Sequence, residues 1–275
     1  MPCHCQCEDG CMALRIDIVT IFPAFFESTL QFGVVGRALS AGIASVHTVD
    51  LRAFTHDRHR TVDDRPFGGG EGMVLKPEPL TDAIESLGIA PKDARDTAKE
   101  SVVLLSAQGA PFTQAMAHEL KSLERVVFLC GRYEGVDERV NAMHCDREVS
   151  IGDYVLSGGE LGAAVILDAV VRLLPGVLGN PDSAHYESFG VAGLSGAVSG
   201  PSAVSASAGL LDYPHYTRPA AFRGVGVPEV LAGGDHLAIQ RWRRQEALRK
   251  TALNRPDLLE KAELSREDRK FLAGL

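Results

Sequence analysis

Four glycine-bearing segments hold the residue types from which a ligand site can be built. They are Asp64-Arg-Pro-Phe-Gly-Gly-Gly-Glu-Gly72, Ser106-Ala-Gln-Gly109, Cys130-Gly-Arg-Tyr-Glu-Gly135 and Ser150-Ile-Gly-Asp-Tyr-Val-Leu-Ser-Gly-Gly-Glu160. Glycine lets the backbone approach a small molecule closely, and the hydroxyls and carboxylates between the glycines can fix its orientation. None of the four is a phosphate loop: Gly-x4-Gly-Lys-Ser/Thr is absent, and Gly68 to Gly72 lacks the Gly-x-Gly-x2-Gly spacing of a dinucleotide fold. ATP and NAD are therefore poor candidates. On pattern alone, a reading of these glycines as tight turns stands level with the ligand-binding one.

Two cationic segments follow. Phe54-Thr-His-Asp-Arg-His-Arg-Thr-Val-Asp-Asp-Arg-Pro66 places His56 and His59 three apart, but Arg58 and Arg60 beside them would repel a metal ion. The stretch suits an RNA-contacting loop, a disordered loop or a solvated surface. In Arg241-Trp-Arg-Arg-Gln-Glu-Ala-Leu-Arg-Lys250, helical spacing puts Arg241 and Arg244 on one face and Arg243 and Lys250 on another, a pattern that fits a phosphate backbone and is also common on surface helices. Cys3, Cys5, Cys7 and Cys11 crowd the start without the paired Cys-x2-Cys of zinc sites, so no metal site is assigned. Residues 1–11 are expected to form a disordered extension ahead of Met12.

Elements must position these segments. β-Branched runs at Leu14 to Phe22, Ala44 to Leu51, Ser101 to Leu105 and Arg125 to Cys130 predict strands. Helical patterns at about Phe25 to Leu30, Leu80 to Leu87 and Thr113 to Leu123 alternate with them, which predicts an α/β domain with a mostly parallel sheet. Loops leaving the carboxyl ends of such strands line the ligand crevice, so 106–109, 131–135 and 150–159 should build it. Glu160 to Leu174 reads as a buried helix carrying one cation, Arg172. Residues 190–208 contain no charged side chain and are rich in Gly, Ala and Ser, the composition of a linker. Beyond them, Asp235 should cap a helix to about Leu253, and Ser265 a last one to about Leu272.

The net charge of −8 conceals an asymmetry: Gly209 to Leu275 holds 12 Lys/Arg and 9 Asp/Glu, a net of +3, leaving −11 for the rest of the 275 residues. With 45% hydrophobic residues and a mean hydropathy of +0.01, the composition is that of a folded globular protein. No apolar run reaches a membrane span and no secretory signal is evident, so the cytoplasm is the expected location.

Taken together, the motifs resemble the bacterial tRNA (guanine-37 N1)-methyltransferase family, TrmD, among the SPOUT methyltransferases. The resemblance runs from about Leu14 to Leu259. It rests on Thr55-His-Asp-Arg-His-Arg-Thr-Val-Asp-Asp-Arg-Pro-Phe-Gly-Gly-Gly70, Cys130-Gly-Arg-Tyr-Glu-Gly-Val-Asp-Glu-Arg139, Ser150 to Leu161, Pro175-Gly-Val-Leu-Gly179 and Gly209-Leu-Leu-Asp-Tyr-Pro-His-Tyr-Thr-Arg-Pro219. It implies a trefoil-knotted parallel-sheet domain at 12–182, a linker at 183–208 and a small helical tRNA-binding domain at 209–275. It also implies a homodimer, S-adenosylmethionine as methyl donor, assistance from Mg²⁺ and a tRNA carrying guanine at positions 36 and 37.

Carried over residue by residue, the resemblance assigns the cofactor to Leu105, Ser106, Gly109, Gly131, Tyr133, Glu134, Ser150, Ile151, Gly152, Tyr154, Leu156, Gly158 and Gly159. The RNA goes to His56, Arg58, Arg60, Arg218, Arg241 and Arg244. Guanine N1 carries a proton that a carboxylate must remove, while charge builds on O6 and calls for a cation. Arg172 matches the family's arginine. The base departs from the pattern: Glu187-Ser188-Phe189 stands where the family has Asp-Ser-Phe. Glu187 is the expected base, with Asp182 or Asp212 as residues that could share the role. Gly162 replaces a proline common among relatives at a position whose backbone the resemblance places against the cofactor pocket, and the 190–208 tract is longer than the usual linker. The competing readings are a SPOUT enzyme for another RNA position, an RNA-binding or ribosome-assembly factor without activity, and a Rossmann-type methyltransferase. Phe22-Pro23 after the first strand, in place of a glycine-rich loop, disfavours the last.

Overall fold

Alternation of buried β-branched residues sets the sheet. In a computed structural model, which describes residues 13–180, 187–190 and 209–275, β1 (Leu14–Thr20), β2 (Ala44–Asp50), β5 (Glu100–Pro111), β6 (Arg125–Cys130) and β7 (Arg147–Ser150) form a five-stranded sheet of order β2-β1-β6-β5-β7. Every pairing in it is parallel. A two-residue antiparallel ribbon, β3 (Asp63–Asp64) with β4 (Val74–Leu75), spans the Gly68 to Gly72 segment.

Both sheet faces are covered, as a parallel sheet requires. Val19, Val102, Leu104, Val127 and Leu129 share one core with Leu80, Ala83 and Ile84 of α3 (Pro77–Ser86) and Val140 of α5 (Glu138–His144). The intervening positions Ile16, Ile18, Val103, Val126 and Phe128 are equally buried. On the helices, α1 (Glu27–Gln31) packs on α2 (Gly33–Ser40), while α6 (Glu160–Val171) packs against α2 and α4 (Gln114–Lys121). Burying one isoleucine or leucine side chain contributes about 1.5–3 kcal/mol, so this double-sided core fixes where the strand ends lie.

The chain divides after Gly179 into two compact units. In the second lie α7 (Glu229–Ala232), α8 (His236–Asn254), α9 (Pro256–Leu259) and α10 (Arg266–Leu272), with a two-residue hairpin, β8 (Ala221–Phe222) and β9 (Val225–Gly226). Asp235 caps α8 through the amides of Leu237 and Ala238, and Ser265 forms a capping box with Asp268. Three details differ from the sequence expectation. The helix from Glu160 ends at Val171, with Arg172 at its C-cap. Strand β7, helices α2, α5, α7 and α9 and the two short antiparallel ribbons lie outside the sequence expectation. β5 runs on to Pro111 through a register shift between Leu105 and Ala110. Residues 1–11, Asp182 and most of the expected linker lie outside the described residues.

Candidate active site

The register shift of β5 and the carboxyl ends of β6 and β7 converge on a cavity of about 400 Å³. Leu105 and Ser106 line it from the register shift inside β5, Gly131, Tyr133 and Glu134 from the loop after β6, and Ser150, Ile151, Gly152, Tyr154, Leu156, Gly158 and Gly159 from the end of β7 and the loop that follows. Each loop is braced by its own residues. Ser106 Oγ accepts from the Gln108 amide at 3.0 Å, and Ser150 Oγ donates to the Gly152 carbonyl at 3.0 Å. The Tyr154 hydroxyl donates to the Ile151 carbonyl at 3.1 Å. Tyr133 adopts φ 59°, a left-handed conformation that costs a bulky residue roughly 1 kcal/mol or more. It is held there between the Gly135 amide, which bonds the Arg132 carbonyl at 3.0 Å, and the Glu134 amide, which bonds the Met73 carbonyl at 3.0 Å.

Gly109 departs from the expectation, since it is not among the residues lining the cavity. A Cβ there would run into the backbone of Glu148 and Val149. Its glycine serves the close approach of β5 to β7 rather than that of a ligand. Gly162, a position the resemblance places against the cofactor pocket, lines the cavity, and so do Arg132, Gln108, Val136, Glu138 and Glu148, which the sequence does not single out as ligand contacts. Membership of the three loops was the signal that could have found Arg132 and Gln108. A Cβ on Gly162 would meet Leu105 and Ile151 at 3.7 and 3.8 Å, ordinary contacts, so the position accepts a larger residue.

At the wall of the cavity lies an ion pair whose carboxylate is buried and whose guanidinium is half-buried. Glu160, 1% exposed, accepts from Thr20 Oγ1 at 2.8 Å and from Arg132 Nε at 3.1 Å, with Arg132 Nη2 also 3.1 Å away. The Arg132 guanidinium stacks 4.4 Å from the centroid of the Phe22 ring. Cys130 sits next to this pair, and burial, reinforced by the Glu160 carboxylate, pushes its thiol well above the ordinary thiol range.

The residues expected to act on the base fall in different units. Arg172, half-buried, closes α6 in the first unit, its amide bonded to the Asp168 carbonyl at 3.2 Å. Glu187 lies in the second, in the short segment 187–190 that the sequence reading put inside the linker. That segment is laced to 209–212: the Phe189 amide bonds the Leu210 carbonyl, the Gly209 amide the Gly190 carbonyl, and the Asp212 amide Ser188 Oγ at 2.9 Å. The Leu211 amide then reaches Thr251 Oγ1 of α8 at 3.0 Å. Asp212 accepts from its neighbour Tyr213's amide at 2.8 Å and lies 2.9 Å from His215 Nε2. Glu187 and Asp212 are thus carried on adjoining stretches of irregular chain laced together by these bonds.

A family model described as tRNA (guanine-1)-methyltransferase TrmD matches residues 14–261. The chain belongs to this family. Similar proteins named tRNA (guanine-N(1)-)-methyltransferase include that of Koribacter versatilis, 60% identical over 95% of this chain and 98% of its own length. Those of Moorella thermoacetica and Heliobacterium modesticaldum are 49% and 48% identical over 94% of this chain and 95% and 90% of theirs.

The TrmD family implies S-adenosylmethionine, and the cavity suits it. Its volume falls in the range of roughly 300–1,000 Å³ typical of small-molecule sites. Glu134, Glu138 and Glu148 line it, while Arg132, the one Lys or Arg among the described lining residues, is paired with Glu160. An acidic wall of this kind favours a ligand bearing sulfonium and ammonium charges, and it disfavours a nucleotide phosphate. Leu105, Ile151 and Leu156 supply apolar surface for an adenosine. Mg²⁺ is different: among the described residues no three or more His, Cys, Asp or Glu side chains gather to hold a metal ion.

Of the side chains this TrmD-family chain was expected to offer RNA, His56, Arg58, Arg60, Arg218 and Arg241 are exposed. The 55–62 loop is an ordered turn. Asp57 accepts from the Thr61 hydroxyl at 2.8 Å and from the His59 and Thr61 amides, and hydrogen bonds from Thr61 hold its carboxyl below the usual range. His56 Nε2 lies 3.6 Å from Asp82. Arg244 is placed differently: its guanidinium is bound to Asp268 at 2.9 and 3.2 Å, which joins α8 to α10, and its side chain is 17% exposed. Arg243, exposed, lies 4.9 Å over the Tyr213 ring.

Proposed function

We propose that this protein transfers a methyl group from S-adenosylmethionine to N1 of guanine 37 in tRNA, beside the anticodon. The observation that carries this reading is the acidic, three-loop cavity at the strand ends of a TrmD-family chain. The same reading includes a trefoil knot in the sheet unit, a homodimer, a C-terminal unit that grips a tRNA bearing guanine at 36 and 37, and work in the cytoplasm.

Bound S-adenosylmethionine supplies a methyl carbon activated by its sulfonium. The protein's own residues do the rest. Leu105, Ile151 and Leu156 bury the adenosine, and Glu134, Glu138 and Glu148 stabilise the positive end. Glu187 takes the proton from guanine N1, which turns a weak nucleophile into a competent one. Arg172 faces the charge that develops on O6 and stabilises it more in the transition state than in the ground state. Asp212, tethered to His215, holds the Glu187 segment in place through Ser188. Arg58, Arg60, Arg218 and Arg241 meet phosphates, and Arg243 joins them because it is exposed on α8.

Labelled S-adenosylmethionine, incubated with the purified protein and an unmodified tRNA bearing guanine at 36 and 37, tests the assignment. Label should appear on that tRNA and not on one with adenine at 37. Glu187→Ala should lower the rate by about 10²–10⁴-fold and Arg172→Ala by about 10²–10³-fold. Cofactor and tRNA binding without any label on the tRNA would instead support an RNA-binding factor.

A further inference from the structure

The Arg132–Glu160 pair lies at the wall of the cavity and ties together the end of β1, the loop after β6 and the start of α6. Arg132 belongs to the loop after β6, and Glu160 opens α6 at the end of the loop after β7. Thr20, at the end of β1, donates to Glu160 at 2.8 Å and accepts the Phe22 amide at 2.9 Å, while Phe22 lies under the Arg132 guanidinium. Thr20 is 1% exposed, and the Glu160 side chain 2%. The two loops also meet through the backbone, where Arg132 pairs with Gly158 and the Gly159 amide bonds the Gly131 carbonyl at 2.9 Å.

The neighbouring glycines take on a second meaning here. A Cβ on Gly158 would occupy the space of the Arg132 guanidinium and the Glu160 carboxylate, and one on Gly159 would stand 2.8 Å from Cys130 Cα and 3.1 Å from the Gly131 amide nitrogen. Gly158-Gly159-Glu160 is therefore shaped around the ion pair as well as around a ligand. A buried ion pair is weak evidence for stability, because desolvation offsets most of the attraction, but it fixes geometry when its remaining hydrogen bonds are satisfied. Here Thr20 supplies one of those bonds.

We propose that Arg132 and Glu160 are positioning residues for the cofactor: their pair, locked by Thr20, sets the separation of the 131–135 and 150–159 loops and so the affinity for S-adenosylmethionine. This rests on the reading that the cavity takes that cofactor. The pair contributes to binding and leaves the RNA contacts and the transfer step itself unaffected.

The test is calorimetric binding of S-adenosylmethionine to the full-length protein without tRNA, beside steady-state kinetics and thermal unfolding. Glu160→Gln keeps the shape and the Thr20 bond but leaves Arg132 unpaired. It should weaken cofactor binding by at least tenfold and raise the KM for S-adenosylmethionine in parallel. At saturating cofactor, kcat and the KM for tRNA should stay within about threefold of wild type. A double variant, E160Q with R132M, removes both charges at nearly constant volume. It should regain the wild-type unfolding temperature yet keep weakened cofactor binding, because the lock is missing although no charge is stranded. Thr20→Val, the mildest change, should weaken binding severalfold. Wild-type affinity in a folded E160Q, T20V or double variant would overturn the proposal, as would a fall in kcat with cofactor binding unchanged. If the wild-type protein itself bound no S-adenosylmethionine, the assignment of the cavity would be the part that fails, and the inference would fall with it.

Discussion

At the scale of single residues, the chemistry depends on which side chains are reactive and which are held inert. Cys130 and Cys145 belong to the second group. Burial raises the Cys145 thiol to about 12, and it raises Cys130 well above its ordinary value with help from Glu160. A raised thiol stays protonated at neutral pH, and the thiolate is the nucleophile. Both cysteines should therefore resist an alkylating reagent at pH 8 in the folded protein and react once urea is added, as peptide mapping would reveal. Alkylation of Cys130 before unfolding would mean that the cavity floor opens. Glycine at 109 and 158 was plain in the sequence, but its reason was not. A motif shows that a side chain is missing, whereas only coordinates show what fills its place: strand backbone at Gly109 and an ion pair at Gly158.

At the scale of elements, the Arg244–Asp268 contact decides how the C-terminal helices hold together. Asp268 accepts from Arg244, caps α10 through the Ser265 amide and is 7% exposed. Burial works against its charge, but the bonds from Arg244 and Ser265 outweigh it and bring the carboxyl below its ordinary value of 3.8. A lowered carboxylate adds stability that is present above 3.8 and lost as pH falls through the folded value. Asp268→Ala should cost roughly 2–4 kcal/mol in urea unfolding at pH 7, with the gap to wild type narrowing below pH 3.8. The caps and periodicity of α8 and α10 were legible in the sequence, as were four of the sheet strands, because a β-branched run or a Ser/Asp cap is a local signal. β7 was not, since Arg147-Glu-Val-Ser150 is short and charged and pairs only because β5 reaches it. Nor was α5, whose burial rests on Val140 and His144 against a long polar remainder. Arg132 stood in a quoted motif, but its partner lies 28 residues along the chain, and sequence spacing does not report ion pairs of that kind.

At the scale of the whole molecule, a chain of net charge −8 concentrates its basic excess after Gly209, so on the proposed function it would meet RNA through a local field rather than its total charge. Affinity for tRNA should fall as salt rises, with a log–log slope that Arg241→Ala and Arg243→Ala each make shallower by about one. Equilibrium binding between 50 and 200 mM salt would show this, and a slope unchanged in both variants would remove α8 from the RNA surface. The molecule also limits where its own length can change. Leu105 and Ala110 both stand opposite Val149, so residues 106–109 are an excursion taken in the middle of one strand, which then rejoins the ladder at Ala110 and Pro111. A residue inserted there would either lengthen the excursion into the cavity or turn every later side chain of β5 to the opposite face. Insertions are absorbed at loop tips and termini, not inside a strand that must be resumed in register. On this side of the pocket, new ligand preferences would have to come from substituting residues rather than from adding or removing them.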